Sequence, residues 1–177
     1  TSKMVAEGVA YLRRTQLAEG SWYGRWGLNY IYGTWSVLCA LNAAGVGHQD
    51  PTIRKAADWL LSIQNADGGW GEDATSYRLD YKGFERAPTT ASQTAWARLG
   101  LMAAGEVGHP AVARGVEYLK STQTKKGLWD EQHYTATGFP RVFYLRYHGY
   151  SKFFPLWALA RYRNLSSTNS RVVGVGM

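Results

Sequence analysis

One short pattern occurs three times in this chain and constrains its fold more than any other feature. An aromatic residue precedes a glutamine by five positions, and a tryptophan follows that glutamine by six, across a turn that contains glycine. The glutamine–tryptophan pairs are Gln16/Trp22, Gln64/Trp70 and Gln123/Trp129. Self-similarity at a period of roughly 50 residues is the signature of a repeat architecture. The chain is therefore expected to consist of similar units that stack on one another.

The residues before each glutamine predict an amphipathic helix. In the middle copy, apolar residues recur at the helical spacing i, i+3, i+4, i+7 and i+8, at Ile53, Ala56, Ala57, Leu60 and Leu61. Asp50 is the expected N-cap, with Pro51 at the first helical position, and Asp67 with the two glycines after it is the expected end. We expect the motif glutamine to bind main-chain groups of a neighbouring helix, with the tryptophan stacked over it.

A second helix separates successive motifs. Residues 33–48 match residues 92–109 down to a shared Ala-Ala-Gly and a histidine, and Thr90 with Gln93 has the form of a capping box. Each repeat is then two helices and a long loop, and no comparable stretch alternates like a strand. The predicted fold class is all-α, with three helical hairpins that form part, about half, of an α/α toroid.

Charge and composition exclude several functions. The formal net charge is +7, and the part from Thr137 onward carries six basic residues and no acidic one: Arg141, Arg146, Lys152, Arg161, Arg163 and Arg171. A basic region can bind nucleic acid or anionic lipid, or be a solvated face. No phosphate-binding loop or nucleic-acid motif is present, so we expect no nucleic-acid partner, and the single Cys39 excludes an internal disulfide. The chain begins with Thr, so we expect it to be cut from a longer protein.

The motifs make the chain resemble the squalene–hopene branch of the triterpene cyclase family. The likeness runs through GSWYGRWGLNYIYGTW (20–35), QNADGGWGED (64–73), SQTAWA (92–97), TGFPRVFYLRYHGY (137–150) and FFPLWALARYRN (153–164). It covers residues 1–165, which we expect to be one toroid region, and leaves residues 166–177 as a polar, disordered tail.

The resemblance implies a cyclase that protonates squalene and closes it into hopene or hopanol, without metal or cofactor. The family's acid motif, Asp-x-Asp-Asp, is absent from this sequence. The chain therefore resembles the C-terminal portion of a cyclase and should be inactive alone. Its implied partners are the N-terminal remainder of the enzyme, a linear triterpene such as squalene, the surface of a membrane and, in a homodimer, a second copy of itself. The implied location is peripheral or monotopic, on the cytoplasmic side of a bacterial inner membrane.

An aromatic stripe runs through the last repeat at the spacing of one helix face. Its members are Phe139, Phe143, Tyr147, Tyr150, Phe154 and Trp157. Spacing alone favours a core stripe, and Phe154 and Trp157 are assigned to the core. The resemblance instead assigns the earlier members, with Leu145, to the wall of a substrate cavity. It adds Trp26 to that wall and gives Tyr32 a place in the network that returns a proton to the acid. The resulting cavity set is Trp26, Tyr32, Phe139, Phe143, Leu145, Tyr147 and Tyr150. If the stripe is one helix, Arg141 and Arg146 point away from the cavity.

Three other interpretations remain open on the residues alone. A carbohydrate-active toroid could use Glu72 and Asp80 as a carboxylate pair. A toroid like that of the protein prenyltransferases would need a zinc site, for which no ligand set is evident. A module without catalytic activity could close its ring by self-association. Asp67, Glu72 and Asp73 fit no EF-hand spacing and are expected to cap a loop, and His48 and His109 are expected in turns.

Overall fold

The computed structural model describes residues 2–77 and 83–167, and six α-helices dominate them. The helices are α1 (Lys3–Thr15), α2 (Tyr30–Ala43), α3 (Pro51–Ser62), α4 (Ala91–Ala103), α5 (Pro110–Ser121) and α6 (Tyr150–Ser167). Two short antiparallel pairs join them: β1 (Trp70–Glu72) with β2 (Arg86–Thr90), and β3 (Ala136–Phe139) with β4 (Phe143–Leu145). A single turn of 3₁₀-helix occupies Ala74–Tyr77. The helical class is confirmed, while the four strands were not predicted.

The helices form two layers with α4 at the centre. All thirteen residues of α4 are buried, because α2 and α6 flank it on either side while α3 and α5 pack behind it. The outer helices α3 and α5 bury only one face, as their amphipathic pattern predicts. At one end of the array, α1 buries none of its residues.

The helix starts follow from their capping residues. The Asp50 carboxylate accepts from Thr52 N at 2.9 Å at the start of α3, as predicted. His109 Nδ1 accepts from Ala111 N at 3.1 Å at the start of α5. At the start of α4, Thr90 Oγ1 accepts from Gln93 N. The return half of the predicted capping box does not form there, because the Gln93 amide binds the main chain of Glu72 instead.

Two of the three motif glutamines join neighbouring repeats as expected. Gln16 Nε2 donates to Gly20 O within its own turn and to Thr52 O of the next repeat. Gln64 Nε2 repeats this with Gly68 O and Ala111 O. One amide group thus closes a turn and fastens the following unit to it.

The motif tryptophans make a bond that the sequence did not predict. They were expected to stack over the glutamines, but the polar contact of each indole goes elsewhere, to the outer helix that precedes it. Trp22 Nε1 donates to Leu12 O, and the equivalent bonds run from Trp70 to Leu60 and from Trp129 to Leu119, all at 2.8 Å. Trp22, Trp70 and Trp129 are also buried. The indole hydrogen bonds therefore hold each turn against the helix that precedes it, while the side-chain amides of Gln16 and Gln64 link successive repeats.

The aromatic stripe of the last repeat is not one helix, although its spacing is that of one helix face. Phe139 ends β3, Phe143 and Leu145 lie on β4, Tyr147 is in the following loop, and α6 begins only at Tyr150. Arg141 turns the hairpin with a positive φ of 68°. Ser166 and Ser167, expected in a tail, belong to α6. Residues 168–177 and Asp80 lie outside the described residues.

Candidate active site

Aromatic rings from α2, α4 and α6, and from the loops before α2 and α6, form a continuous run. The run begins at Trp26, which is 51% exposed and whose indole stacks on Tyr147 at 6.4 Å between ring centroids. Tyr147 stacks on Tyr150 at 4.8 Å, and Tyr150 meets the edge of Trp96 at 5.6 Å. Tyr32 packs against Trp96 at 5.1 Å. The structure therefore brings together four of the predicted cavity residues.

The deeper end of this run consists of residues assigned to the core. Trp96 stacks flat on Trp35, with ring centroids 6.0 Å apart and planes 6° apart. Phe154 contacts both of these indoles edge-on and lies beside Trp157. Phe154 and Trp157 thus pack against the buried cluster, and the run passes without a break from the exposed indole of Trp26 into the core.

The loop that carries Trp26 is held by the third repeat. Leu28 N donates to Thr135 O and Thr137 N donates to Trp26 O, both at 3.0 Å, so the loop adds a short bridge to the edge of β3. Gly27 lies beneath the ring of Tyr32, where an added Cβ would come within 2.2 Å of that ring. A side chain larger than hydrogen at position 27 would displace Tyr32 or the loop.

The hairpin of β3 and β4 carries the other predicted cavity residues. Phe139 and Phe143 face each other across the hairpin at 5.7 Å, and both are exposed. Leu145 is partly buried and pairs with Ala136. The Phe139–Phe143 pair has no ring contact with the run from Trp26 to Tyr150 among the described residues, so the predicted set divides into two groups.

An open pocket of about 880 Å³ lies beside the hairpin. Phe139 lines it together with Tyr23, Tyr30, Trp59 and Phe84. Arg141 and Val142 of the hairpin turn also line it. The expectation that Arg141 points away depended on a single helix, which the backbone does not form here. Arg146, in contrast, lies over the ring of Tyr134 at 4.9 Å.

The phenols of Tyr32 and Tyr150 stay protonated well above neutral pH, because burial raises pKa values that ordinarily lie near 10. Desolvation raises the pKa of Tyr32. Desolvation, followed by the nearby Tyr32 and Tyr147, raises the pKa of Tyr150 to about 12. A protonated phenol can donate and accept a hydrogen bond at once, and its ring offers a negative face to a cation. The run therefore presents aromatic faces and hydroxyls without an ionised nucleophile.

Glu72 was expected to cap a loop, and the structure gives it a larger role. It is only 1% exposed, and both carboxylate oxygens accept main-chain N–H groups at the start of α2. With its oxygens so engaged, Glu72 is unsuited to act as one of a glycosidase carboxylate pair. Asp67 and Asp73 do cap their turns, accepting from Gly69 N and Thr75 N. Within residues 2–77 and 83–167, no group of three or more potential metal ligands occurs.

Comparison with solved structures places this architecture in the terpene cyclase class. The type II terpene cyclase MstE from Scytonema, without ligand, aligns with a TM-score of 0.54 at 25% identity, over 75% of this chain and 36% of that one. A variant of the same enzyme, in complex with its substrate geranylgeranyl dihydroxybenzoate, aligns with a TM-score of 0.56 at 24% identity, over 77% and 36%.

Sequence comparison narrows the class to one family. The family model for the squalene–hopene cyclase C-terminal domain matches residues 1–164. A squalene–hopene cyclase from Bradyrhizobium diazoefficiens is 85% identical over 177 residues, which are 100% of this chain and 27% of that protein. One from Zymomonas mobilis is 59% identical over the same shares, and human lanosterol synthase is 37% identical over 91% of this chain and 22% of that protein. The chain belongs to the squalene–hopene cyclase family and corresponds to its C-terminal domain, about a quarter of the length of these relatives.

Proposed function

We propose that the complete protein containing this domain cyclises squalene, or a closely related linear triterpene, to hopene or hopanol. The observation that carries the proposal is the unbroken aromatic run from Trp26 through Tyr147 and Tyr150 to Trp96. Relatives that cover the whole chain bear the name squalene–hopene cyclase, and the MstE enzyme was solved with an isoprenoid substrate.

The chemistry of the aromatic run suits a reaction that proceeds through carbocations. A cation over an aromatic face is stabilised by about 0.5–2 kcal/mol, more where water is excluded. Because the phenols remain protonated, a passing cation meets ring faces and no strong nucleophile that would end the reaction early. Tyr32 supplies a hydroxyl at the start of α2, where we assign it to the network that returns a proton to the catalytic acid. Phe139, Phe143 and Leu145 extend the wall on the hairpin.

The domain alone should have no activity, because its sequence contains no Asp-x-Asp-Asp motif to protonate the substrate. The test compares the complete protein with this domain alone, each mixed with squalene in detergent, by gas chromatography of the products. We expect pentacyclic products from the complete protein only. A complete protein that folds, binds detergent-dispersed squalene and leaves it linear would overturn the proposal.

We further propose that the array is part of an α/α toroid that segments outside this chain complete. Gln123 Nε2 donates to Gly127 O within its turn, whereas the other two motif glutamines also reach a carbonyl of the next repeat. At the opposite end, α1 leaves Met4 and Tyr11 exposed despite its amphipathic sequence. Both ends of the array thus expose groups that a neighbouring helical unit could bind.

Contact with the cytoplasmic face of a bacterial inner membrane is a proposal as well. In the part of the chain that the structure describes, no helix is long and apolar enough to cross a bilayer. Helix α6 exposes Phe153 and Leu156 together with the basic Lys152 and Arg163. Each basic side chain near an anionic surface adds about 1 kcal/mol. Charge reversal at Lys152 and Arg163 in the complete protein should weaken binding to anionic liposomes, while Lys3→Glu at the opposite end is the control.

A further inference from the structure

A glutamate two positions after the motif tryptophan links two repeats in the same way at two places. Glu72 follows Trp70 by two, and Glu131 follows Trp129 by two. Glu72 accepts from the main-chain N–H groups of Asn29, Tyr30 and Ile31, at 3.0, 3.1 and 3.0 Å. These are the N-cap and the first two residues of α2, in the preceding repeat.

Glu131 does the same for α4. Its carboxylate accepts from Ser92 N and from Ser92 Oγ, the latter at 3.1 Å. Each glutamate therefore caps the inner helix of the preceding repeat from a distance of about 40 residues in sequence. This matters because the four N–H groups at a helix start have no partner within the helix, and Asn29 makes no side-chain cap for α2.

The cap made by Glu72 is buried and tightly built. Gln93 fixes the main chain of Glu72 from both sides, donating to its carbonyl at 2.7 Å and accepting from its N–H at 3.0 Å. Burial raises the pKa of the Glu72 carboxyl, and its hydrogen bonds from the main chain of α2 and from the Ser76 side chain oppose that rise. No lysine, arginine or histidine within the described ranges forms an ion pair with Glu72. These hydrogen bonds hold the start of α2 in one position.

The start of α2 carries Tyr32 of the predicted site and contacts the loop that carries Trp26. Tyr32 follows the last capped residue directly, and its ring rests on Gly27 of the loop that holds Trp26. Asn29, whose N–H Glu72 binds, fixes the start of that loop by accepting from Gly24 N at 3.1 Å. A shift at the start of α2 would therefore move both Tyr32 and Trp26.

We infer that Glu72 is a positioning residue of the cyclase: by capping α2 it sets the places of Tyr32 and Trp26 against the substrate. The inference rests on the proposed cyclisation. Glu131 provides a control, because it caps α4, which carries neither Tyr32 nor Trp26 and holds Trp96 of the aromatic run only in its second turn. A misplacement of about 1 Å can cost roughly 100-fold in rate, so the two caps should differ in their effect on catalysis.

The experiment compares Glu72→Gln and Glu131→Gln in the complete protein, with squalene as substrate. Both should lower the melting temperature, Glu72→Gln the more, because Glu72 is nearly fully buried and accepts from three main-chain N–H groups. At temperatures where each variant is folded, Glu72→Gln should lower kcat by about 10- to 100-fold and raise the share of partly cyclised products, whereas Glu131→Gln should leave the product pattern unchanged. Glu72→Asp, which keeps the charge on a shorter arm, should recover part of the rate and serves if Glu72→Gln does not fold.

Amide hydrogen exchange separates this inference from the proposed function. Glu72→Gln should speed exchange at Asn29, Tyr30 and Ile31, and Glu131→Gln at Ser92, whether or not the protein forms any product. If the wild-type protein leaves squalene linear, the proposed function is refuted, but the capping of α2 by Glu72 is not. A folded Glu72→Gln variant with wild-type rate and products, or one indistinguishable from Glu131→Gln in both, would overturn the positioning role.

Discussion

Arg98 is the most unusual single residue of the domain. It lies on the central helix with 0% exposure, and none of its guanidinium nitrogens meets a hydrogen-bond acceptor among the described residues. Its favourable contact is the ring of Tyr162 on α6, 5.3 Å from the guanidinium carbon. Burial lowers the pKa of Arg98 to about 10. A buried charge with so little compensation reduces stability relative to an apolar side chain of similar length.

Replacing Arg98 tests this conclusion. Arg98→Met keeps most of the volume and removes the buried charge, so it should be neutral or stabilise the fold by up to about 4 kcal/mol. Arg98→Ala leaves a cavity and should be about 2–5 kcal/mol less stable than Arg98→Met. Thermal unfolding of the complete protein checks both. A large loss of stability in Arg98→Met would show that the guanidinium has a stabilising partner beyond the Tyr162 ring.

Cys39 should be an inert thiol as long as the domain is folded. Burial raises its pKa from 9.0 to about 12, against a smaller lowering by Arg161. At about pH 8 the reactive thiolate should then be roughly 1000-fold scarcer than in the unfolded chain. The free energy of unfolding does not change with the ionisation of Cys39 below about pH 9. It falls between pH 9 and about 12, because the thiol ionises in the unfolded chain before it ionises in the folded one. Alkylation by iodoacetamide, followed by peptide mass mapping, should label Cys39 only after denaturation; labelling at the unfolded rate in the native protein would contradict the shift.

At the scale of elements, the helices were predictable and the strands were not. The start of α3 can be read from local sequence, because Asp50 is an N-cap residue, Pro51 follows it at the first helical position, and apolar residues recur at helical spacing after them. The strands are three to five residues long, which is too short for alternation to show. In the second pair, Gly138 lets the ring of Phe143 lie across β3. The aromatic spacing from Phe139 to Tyr150 therefore mimicked a helix that the backbone does not form.

The same limit applies to the site. Trp26, Tyr32, Tyr147 and Tyr150 were grouped through a family likeness, and the structure places them in one run. Glu72 was missed in its capping role because its partners lie about 40 residues away and are main-chain groups, which no side-chain pattern reveals. The recurrence of Glu two positions after Trp70 and Trp129 was the available signal.

The hairpin between β3 and β4 should be under local strain. Arg141 adopts a left-handed conformation with φ of 68°, which costs a residue with a Cβ about 1–2 kcal/mol. Arg141→Gly should therefore be more stable than Arg141→Ala by about 1 kcal/mol, since both lack the guanidinium and only one keeps the strain. Chemical denaturation of the complete protein measures the difference. Equal stability of the two variants would mean that the turn relaxes in solution.

At the scale of the whole molecule, the environment of Gln123 leads to a quantitative prediction. If the ring continues, Gln123 gains a second carbonyl partner in the complete protein, as Gln64 has in Ala111. Gln123→Ala and Gln64→Ala should then lower stability by similar amounts, each about 1–3 kcal/mol for groups left unpaired. If Gln123 faces solvent in the complete protein, its replacement should change stability by less than about 0.5 kcal/mol. Melting temperatures of the two variants, compared with Gln16→Ala, distinguish these outcomes.

The linkage through motif glutamines also bears on how such molecules can change. The amide nitrogens of Gln16 and Gln64 bind only peptide oxygens, at Gly20, Thr52, Gly68 and Ala111. A peptide oxygen is present whatever the side chain, so this part of the linkage does not depend on the side chains of the neighbouring unit, although Gln64 Oε1 also accepts from Arg114 Nη2 of the next repeat. Units of this kind can be duplicated, exchanged or altered on their inner surface while the fastening between them stays intact. The inner surface can therefore change while the scaffold is preserved.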